Sequence, residues 1–162
     1  MTLKLSNIHF VLLAAGESTR FKARENKLLS KIKDKTILEH NIEQLKKIGF
    51  KKITLVIRNI SILKSINKTK IELIKGGKTR TLSVRNALLK SKIKAKYVFI
   101  HDAARILNSD TILNKLINET CKNKYDCIIP FSKCTDTVIK NHKNINRENI
   151  KFIKTPQVFL KN

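Results

Sequence analysis

Tryptophan is absent from this chain, and glycine (four), proline (two) and cysteine (three) are scarce in its 162 residues. So little glycine and proline excludes a collagen-like or low-complexity chain. The three cysteines, Cys121, Cys127 and Cys134, are odd in number and match no zinc-ligand spacing. A disulfide framework and a structural zinc site are therefore not expected, and ordinary reduced thiols are. The histidines, His9, His40, His101 and His142, show no metal-binding spacing either. No apolar run approaches the roughly 20 residues that span a bilayer, so no membrane segment is expected. The opening Met-Thr-Leu-Lys-Leu-Ser passes into an apolar run within a few residues. That leaves no room for a signal or transit peptide, and a cytoplasmic protein is expected.

Acidic residues are also few, 12 against 35 lysines and arginines, for a formal charge of +23. A charge of this size points to polyanions. The lysines, however, are scattered along the chain among many isoleucines and asparagines, as in a genome-wide compositional bias. Salt-sensitive, non-specific polyanion binding follows from the charge alone, and a specific nucleic-acid partner is not expected. The same field attracts nucleotides and sugar phosphates.

What is present is an ordinary apolar fraction and an alternation of strand and helix patterns. The length suits one domain with a real core. Ile8 to Ala14 is an apolar run read as a buried strand. Thr36-Ile37-Leu38-Glu39 is a capping box opening a helix to about Ile48, which Gly49 ends. Lys52 to Arg58 and Ile71 to Ile74 read as strands, with a short helix or irregular piece over Ile60 to Asn67. A helix runs from the Gly76-Gly77 turn to Lys90, and a strand over Tyr97 to His101. A helix capped by Ser109 or Asp110 runs to Lys122, and a strand follows over Asp126 to Phe131. Lys133 to Val158 reads as extended pieces with a polar middle, shaped as a hairpin. The pattern predicts an α/β fold, a mainly parallel sheet with helices on both faces. Such sheets bind ligands at the carboxyl ends of their strands.

Three stretches fall at those ends. Phe10 to Lys27 is a strand stopped by Ala14-Ala15-Gly16, with Arg20, Arg24 and Lys27 beyond it. Small residues let backbone N–H groups approach phosphate oxygens, and the cations would neutralise them. The alternative is a plain turn with solvated cations. Gly76-Gly77-x-x-Arg80-x-x-Ser83-Val84 places paired glycines and a serine at a helix start. It reads as a close approach to a flat ligand, or simply as a turn. His101-Asp102-Ala103-Ala104-Arg105 sets a carboxylate where it could hold Mg²⁺ beside a triphosphate, with Arg105 to orient it. The alternative is a capping aspartate in a surface ion pair.

Leu13-Ala14-Ala15-Gly16 with Arg20 and Lys27 resembles the signature loop of sugar- and polyol-phosphate nucleotidyltransferases, L-A-A-G-x-G-x-R followed by P-K. Ser18 stands at the usual second glycine and Asn26 at the usual proline. With Gly-Gly-x-x-Arg-x-x-Ser-Val and His-Asp-Ala-Ala-Arg in order, the chain resembles the 2-C-methyl-D-erythritol 4-phosphate cytidylyltransferase family. Asp136-Thr137-Val138, Arg147 and Thr155-Pro156-Gln157-x-Phe159 extend the resemblance over about residues 8 to 159.

The resemblance implies a Rossmann-like three-layer nucleotidyltransferase (glycosyltransferase-A-like) domain over residues 1–162, with a dimerisation arm over 133–155. It implies transfer of CMP from CTP to the polyol phosphate with release of pyrophosphate, in non-mevalonate isoprenoid precursor synthesis. Arg20 and Lys27 match the pair that stabilises the transition state. Ala14, Ala15, Gly16, Gly77, Ser83 and Ala103 match the nucleotide site, and Asp102 the residue near Mg²⁺. Thr137 and Arg147, with Arg105, match or adjoin groups that position the substrate. A homodimer through the arm is implied. Ile106 replaces the usual proline after the arginine. Family members continue beyond Thr-Pro-Gln-x-Phe through a helix, a strand and a substrate-contacting lysine, whereas this sequence stops at Asn162, so a wall of the substrate pocket is expected to be lacking. Two rivals remain: a ribitol-5-phosphate cytidylyltransferase, which Ala103-Ala104 disfavours, and a non-catalytic basic domain binding nucleic acid or protein.

Overall fold

The first long apolar run becomes the middle of the protein. In a computed structural model, which describes residues 5–16, 26–59, 62, 71–107 and 110–161, Ile8–Ala14 forms strand β1. It is buried on both faces, as a near-continuous apolar strand must be in a parallel sheet. On one side β1 pairs in parallel with β4 (Ile53–Ile57), Leu12 facing Leu55, and β4 pairs in parallel with β5 (Glu72–Lys75). On the other side it pairs in parallel with β6 (Tyr97–Asp102), Leu12 facing His101.

Helices cover both faces. Helix α1 (Ile37–Ile48) opens on the anticipated capping box. Thr36 Oγ1 accepts from the Glu39 amide at 3.2 Å, and Glu39 Oε2 accepts from the Thr36 amide at 2.7 Å. It ends at Gly49, whose φ of 103° lies in the left-handed region glycine tolerates. Leu38, Ile42 and Leu45 of α1 pack on Phe10, Leu12 and Phe99 with Leu113 and Leu116 of α3 (Asp110–Cys121). Each such side chain contributes roughly 1.5–3 kcal/mol by leaving water. Ala87 of α2 (Arg80–Lys90) packs the opposite face with Val11, Ala15 and Val98. The architecture is the expected three-layer α/β domain.

The late strands depart from the sequence reading. The segment expected as one strand to Phe131 is two, β7 (Cys127–Ile128) and β8 (Phe131–Lys133). Pro130 lies between them and has no N–H to give a ladder. Residues 133–158 are more than a hairpin. β9 (Val138–Lys140) and β10 (Lys143–Ile145) form one, while β11 (Lys151–Ile153) turns back to pair with β8. β12 (Gln157–Leu160) then enters the main sheet antiparallel, between β6 and β7, giving the order β5-β4-β1-β6-β12-β7. A two-stranded ribbon, β2 (Lys31–Ile32) with β3 (Lys35–Thr36), leads into α1. The expected piece over Ile60 to Asn67 and the Ser109 cap lie outside the described residues, Ile62 excepted.

Candidate active site

Three loops meet at the carboxyl edge of the sheet. The one leaving β1 carries Ala15 and Gly16; an added Cβ on Gly16 would meet nothing within 4 Å, so its exposed backbone is open to approach. The one leaving β5 carries Gly76 and Gly77. A Cβ on Gly76 would lie 2.4 Å from the Ala15 Cβ, and one on Gly77 would lie 2.3 Å from the Leu82 Cβ. Both glycines are therefore required by the close approach of the protein to itself. The loop leaving β6 joins the group through Ala103, whose amide donates to the Leu13 carbonyl at 3.0 Å. Ala14, Ala15 and Ala103 are buried where these loops leave the sheet, packed into the core.

Ser83 is buried, and its hydroxyl serves the turn: Oγ accepts from the Gly77 amide at 3.1 Å and donates to the Thr79 carbonyl at 2.9 Å. Asn26 accounts for one departure from the family motif. Its φ of −65° is the value a proline would fix, and its side chain accepts from the Leu28 amide at 3.1 Å. The asparagine thus caps the short turn Lys27–Leu29 and presents Lys27, partly buried, at its start. Ser18, Arg20 and Arg24 lie outside the described residues.

Asp102 sits between two guanidinium groups. Arg80 Nε donates to its Oδ1 at 3.0 Å, and Arg105 Nε lies 3.5 Å from its Oδ2. Among the described residues no three His, Cys, Asp or Glu side chains gather as a metal cage. One carboxylate suits Mg²⁺ whose shell is completed by phosphate oxygens and water. Thr137 and Arg147 lie on the arm, both exposed, with Arg147 Nη1 donating to the Thr135 carbonyl at 2.9 Å. Among the described residues no hydrogen bond or ion pair joins either to the three loops.

His101 holds the β6 loop from behind. It is 1% exposed, and burial pushes its pKa down to about 4. The Arg105 carbonyl, 2.8 Å from Nε2, can only accept, so Nε2 carries the proton. Nδ1 then accepts from the Thr155 hydroxyl at 2.8 Å. The unfolded chain binds a proton near pH 6.5 that the folded chain refuses. The stability this histidine contributes is complete above that pH and is lost as pH falls towards 4, by about 3 kcal/mol in all. Burial also lowers the pKa of His9, which adds in the same direction. Urea unfolding at pH 7, 5 and 4 should show the loss, and His101→Gln should remove most of the slope. An unchanged slope would assign it to other groups.

The family model for 2-C-methyl-D-erythritol 4-phosphate cytidylyltransferase (IspD) matches residues 8–162. The chain belongs to that family. Among curated relatives, the bifunctional enzyme IspD/IspF of Pelagibacter ubique is 44% identical over 161 residues, covering 94% of this chain and 43% of that protein. The Campylobacter hominis bifunctional enzyme is 38% identical, over 95% of this chain and 41% of its own length. The structure of bifunctional IspDF from Campylobacter jejuni superposes with a TM-score of 0.84 at 34% identity, over 95% of this chain and 41% of that one. The cytidylyltransferase of Francisella tularensis gives 0.76 at 28% identity, over 95% of this chain and 72% of that one. The chain thus spans about two fifths of the length of the first curated relatives.

Of the residues expected at the IspD site, the sheet edge gathers Ala14, Ala15, Gly16, Gly77, Ser83, Asp102, Ala103 and Arg105. Arg80, Thr155 and Asn41 were missed as site residues. Arg80 is a named residue of the Gly76-Gly77 motif, but the motif alone assigns it no role. Asn41 interrupts the apolar face of α1, and that polar interruption was the available signal.

Proposed function

We propose that the chain transfers CMP from CTP to 2-C-methyl-D-erythritol 4-phosphate and releases pyrophosphate. The joined edge of three loops supports the reading, with Arg80 and Arg105 paired to Asp102 on a chain of the IspD family. In the reaction an oxygen of the substrate phosphate attacks the α-phosphorus in line. The α–β bridging bond breaks, and its electron pair leaves with pyrophosphate. The attacking oxygen is already anionic, so no general base is needed, and catalysis rests on positioning and charge stabilisation. Lys27, with Arg20, supplies positive charge where negative charge grows on the α-phosphate. The Ala15-Gly16 backbone admits the phosphates, and the buried alanines leave room for the nucleotide. Bound Mg²⁺ would neutralise triphosphate charge, and Asp102 is the residue that would hold it. Thr137 and Arg147 would grip the polyol phosphate. Pyrophosphate release with CTP, Mg²⁺ and this substrate, set against ribitol 5-phosphate, tests the reading. Well-folded protein that releases none with either would refute it.

We further infer a homodimer through the arm. Phe131, Ile139, Phe152 and Ile153 on the arm strands are 44–65% exposed, which suits a second copy as cover. Ile139→Ser with Phe152→Ser should convert a dimer to a monomer in sedimentation. A wild-type chain already monomeric at high concentration would sink the inference. Among the described residues no helix is long and apolar enough to cross a membrane.

A further inference from the structure

Asn41 is an asparagine in the wrong company. It is 0% exposed and shares the buried face of α1 with Ile37, Leu38, Ile42 and Leu45. A buried amide costs stability unless its hydrogen-bonding groups find partners. Here they do. Nδ2 donates to the Ala103 carbonyl at 2.7 Å and to the Arg105 carbonyl at 3.1 Å. Oδ1 accepts from the Leu107 amide at 2.8 Å. Only this orientation of the amide gives every atom a complementary partner.

All three bonds go to one loop, the one that carries Asp102 and Arg105. The Arg105 carbonyl is held from two sides, by Asn41 and by His101. The bonds to Arg105 and Leu107 also bracket Ile106, the residue that stands in place of the family's usual proline. Proline would restrict the backbone there directly. In this chain two hydrogen bonds from a helix more than sixty residues away restrict the backbone on either side of Ile106.

The same helix also holds the segment that follows Lys27. The Ile37 amide in its first turn donates to the Ser30 carbonyl at 3.1 Å, just after the turn that begins with Lys27. Ile37 and Asn41 are four residues apart and so lie on one face, one turn above the other. The first turns of α1 therefore span from the Lys27 side of the site to the Asp102–Arg105 side.

We propose that Asn41 is a positioning residue, which fixes the Asp102–Arg105 loop relative to Lys27 for nucleotidyl transfer. The proposal rests on the cytidylyl-transfer reading. A displacement of about 1 Å in such a site costs on the order of 100-fold in rate. Asn41→Ala should lower kcat by about 10- to 100-fold while the KM for CTP moves less than about threefold. Leu45→Ala, a core truncation on the same helix, is the control. It should match or exceed the loss in Tm yet keep kcat within about twofold at a temperature where both variants are folded. Should Asn41→Ala fail to fold, Asn41→Ser retains a smaller polar group and takes its place. The double variant with Asp102→Asn should lose less than the product of the two single losses, because both act through one loop. Equal kcat losses in the asparagine and leucine variants, or an undiminished kcat in the asparagine variant, would overturn the proposal. A wild-type chain that releases no pyrophosphate would instead overturn the cytidylyl-transfer reading and take this proposal with it.

Discussion

Lys27→Ala is expected to cut turnover by roughly 100- to 1,000-fold, the usual loss when one preorganised charge-stabilising donor is removed. The fold should survive. The turn Lys27–Leu29 is anchored by Leu28, which is 3% exposed, and by the Asn26 cap; neither depends on the Lys27 side chain. The KM for CTP should change far less than kcat, because charge gathers on the α-phosphate mainly in the transition state. Lys27→Arg keeps the charge but spreads it over a planar fork, and should recover only part of the rate. Steady-state pyrophosphate release with a thermal melt of each variant decides the matter. Turnover within twofold of wild type in Lys27→Ala would remove Lys27 from the mechanism.

Asp102→Asn should be nearly as damaging, with a different signature. The substitution keeps the shape of the side chain but removes the one anion between Arg80 and Arg105. Two consequences oppose each other. The freed guanidinium groups attract the triphosphate more strongly, so CTP binding without metal should tighten. On the proposed reading the site also loses the carboxylate that would hold Mg²⁺, so half-saturation should need more of it, and kcat should fall on the order of 100-fold. A magnesium titration of the rate separates these effects. If activity falls with no change in the magnesium requirement, Asp102 serves only to hold the two arginines. The Arg80–Asp102 and Arg105–Asp102 pairs themselves are partly exposed, and their loss should cost the fold little.

Much of this was legible in the residues because it is written locally. The capping box of α1 and its terminating glycine are short-range chemistry, and they appear where the pattern put them. β1, β4 and β6 are apolar runs that no solvated element could carry. The three loops were readable for the same reason: a parallel sheet sends each strand's exit to one edge. What was not legible depends on partners distant in sequence. Nothing in Gln157–Leu160 says that it will run antiparallel between β6 and β7. Asn41 interrupts an apolar stripe, and its partners on the loop from Ala103 to Leu107 lie more than sixty residues away. Ser83 reads in sequence as a ligand contact, and what the sequence does not show is that its hydroxyl also holds the turn around Gly77. The Asn26 departure proved to be a substitution of means, a hydrogen-bonded cap with the backbone angle a proline would impose.

The placing of β12 has a consequence for how this protein can change. β7 and β12 are neighbours, with Ile128 opposite Val158. The chain from 129 to 156 leaves the sheet and returns beside its own point of departure. It is an excursion hung on two adjacent posts, and lengthening such a loop costs only about 0.6 kcal/mol for each doubling. Insertions and substitutions there would be absorbed outside the posts. Thr155 is the exception, because its hydroxyl bonds His101 behind the β6 loop; changes elsewhere in the excursion would leave the loops that follow β1, β5 and β6 as they are. On the proposed reading, the parts of the excursion that would meet the acceptor and a second subunit can therefore drift while the three loops at the sheet edge stay as they are.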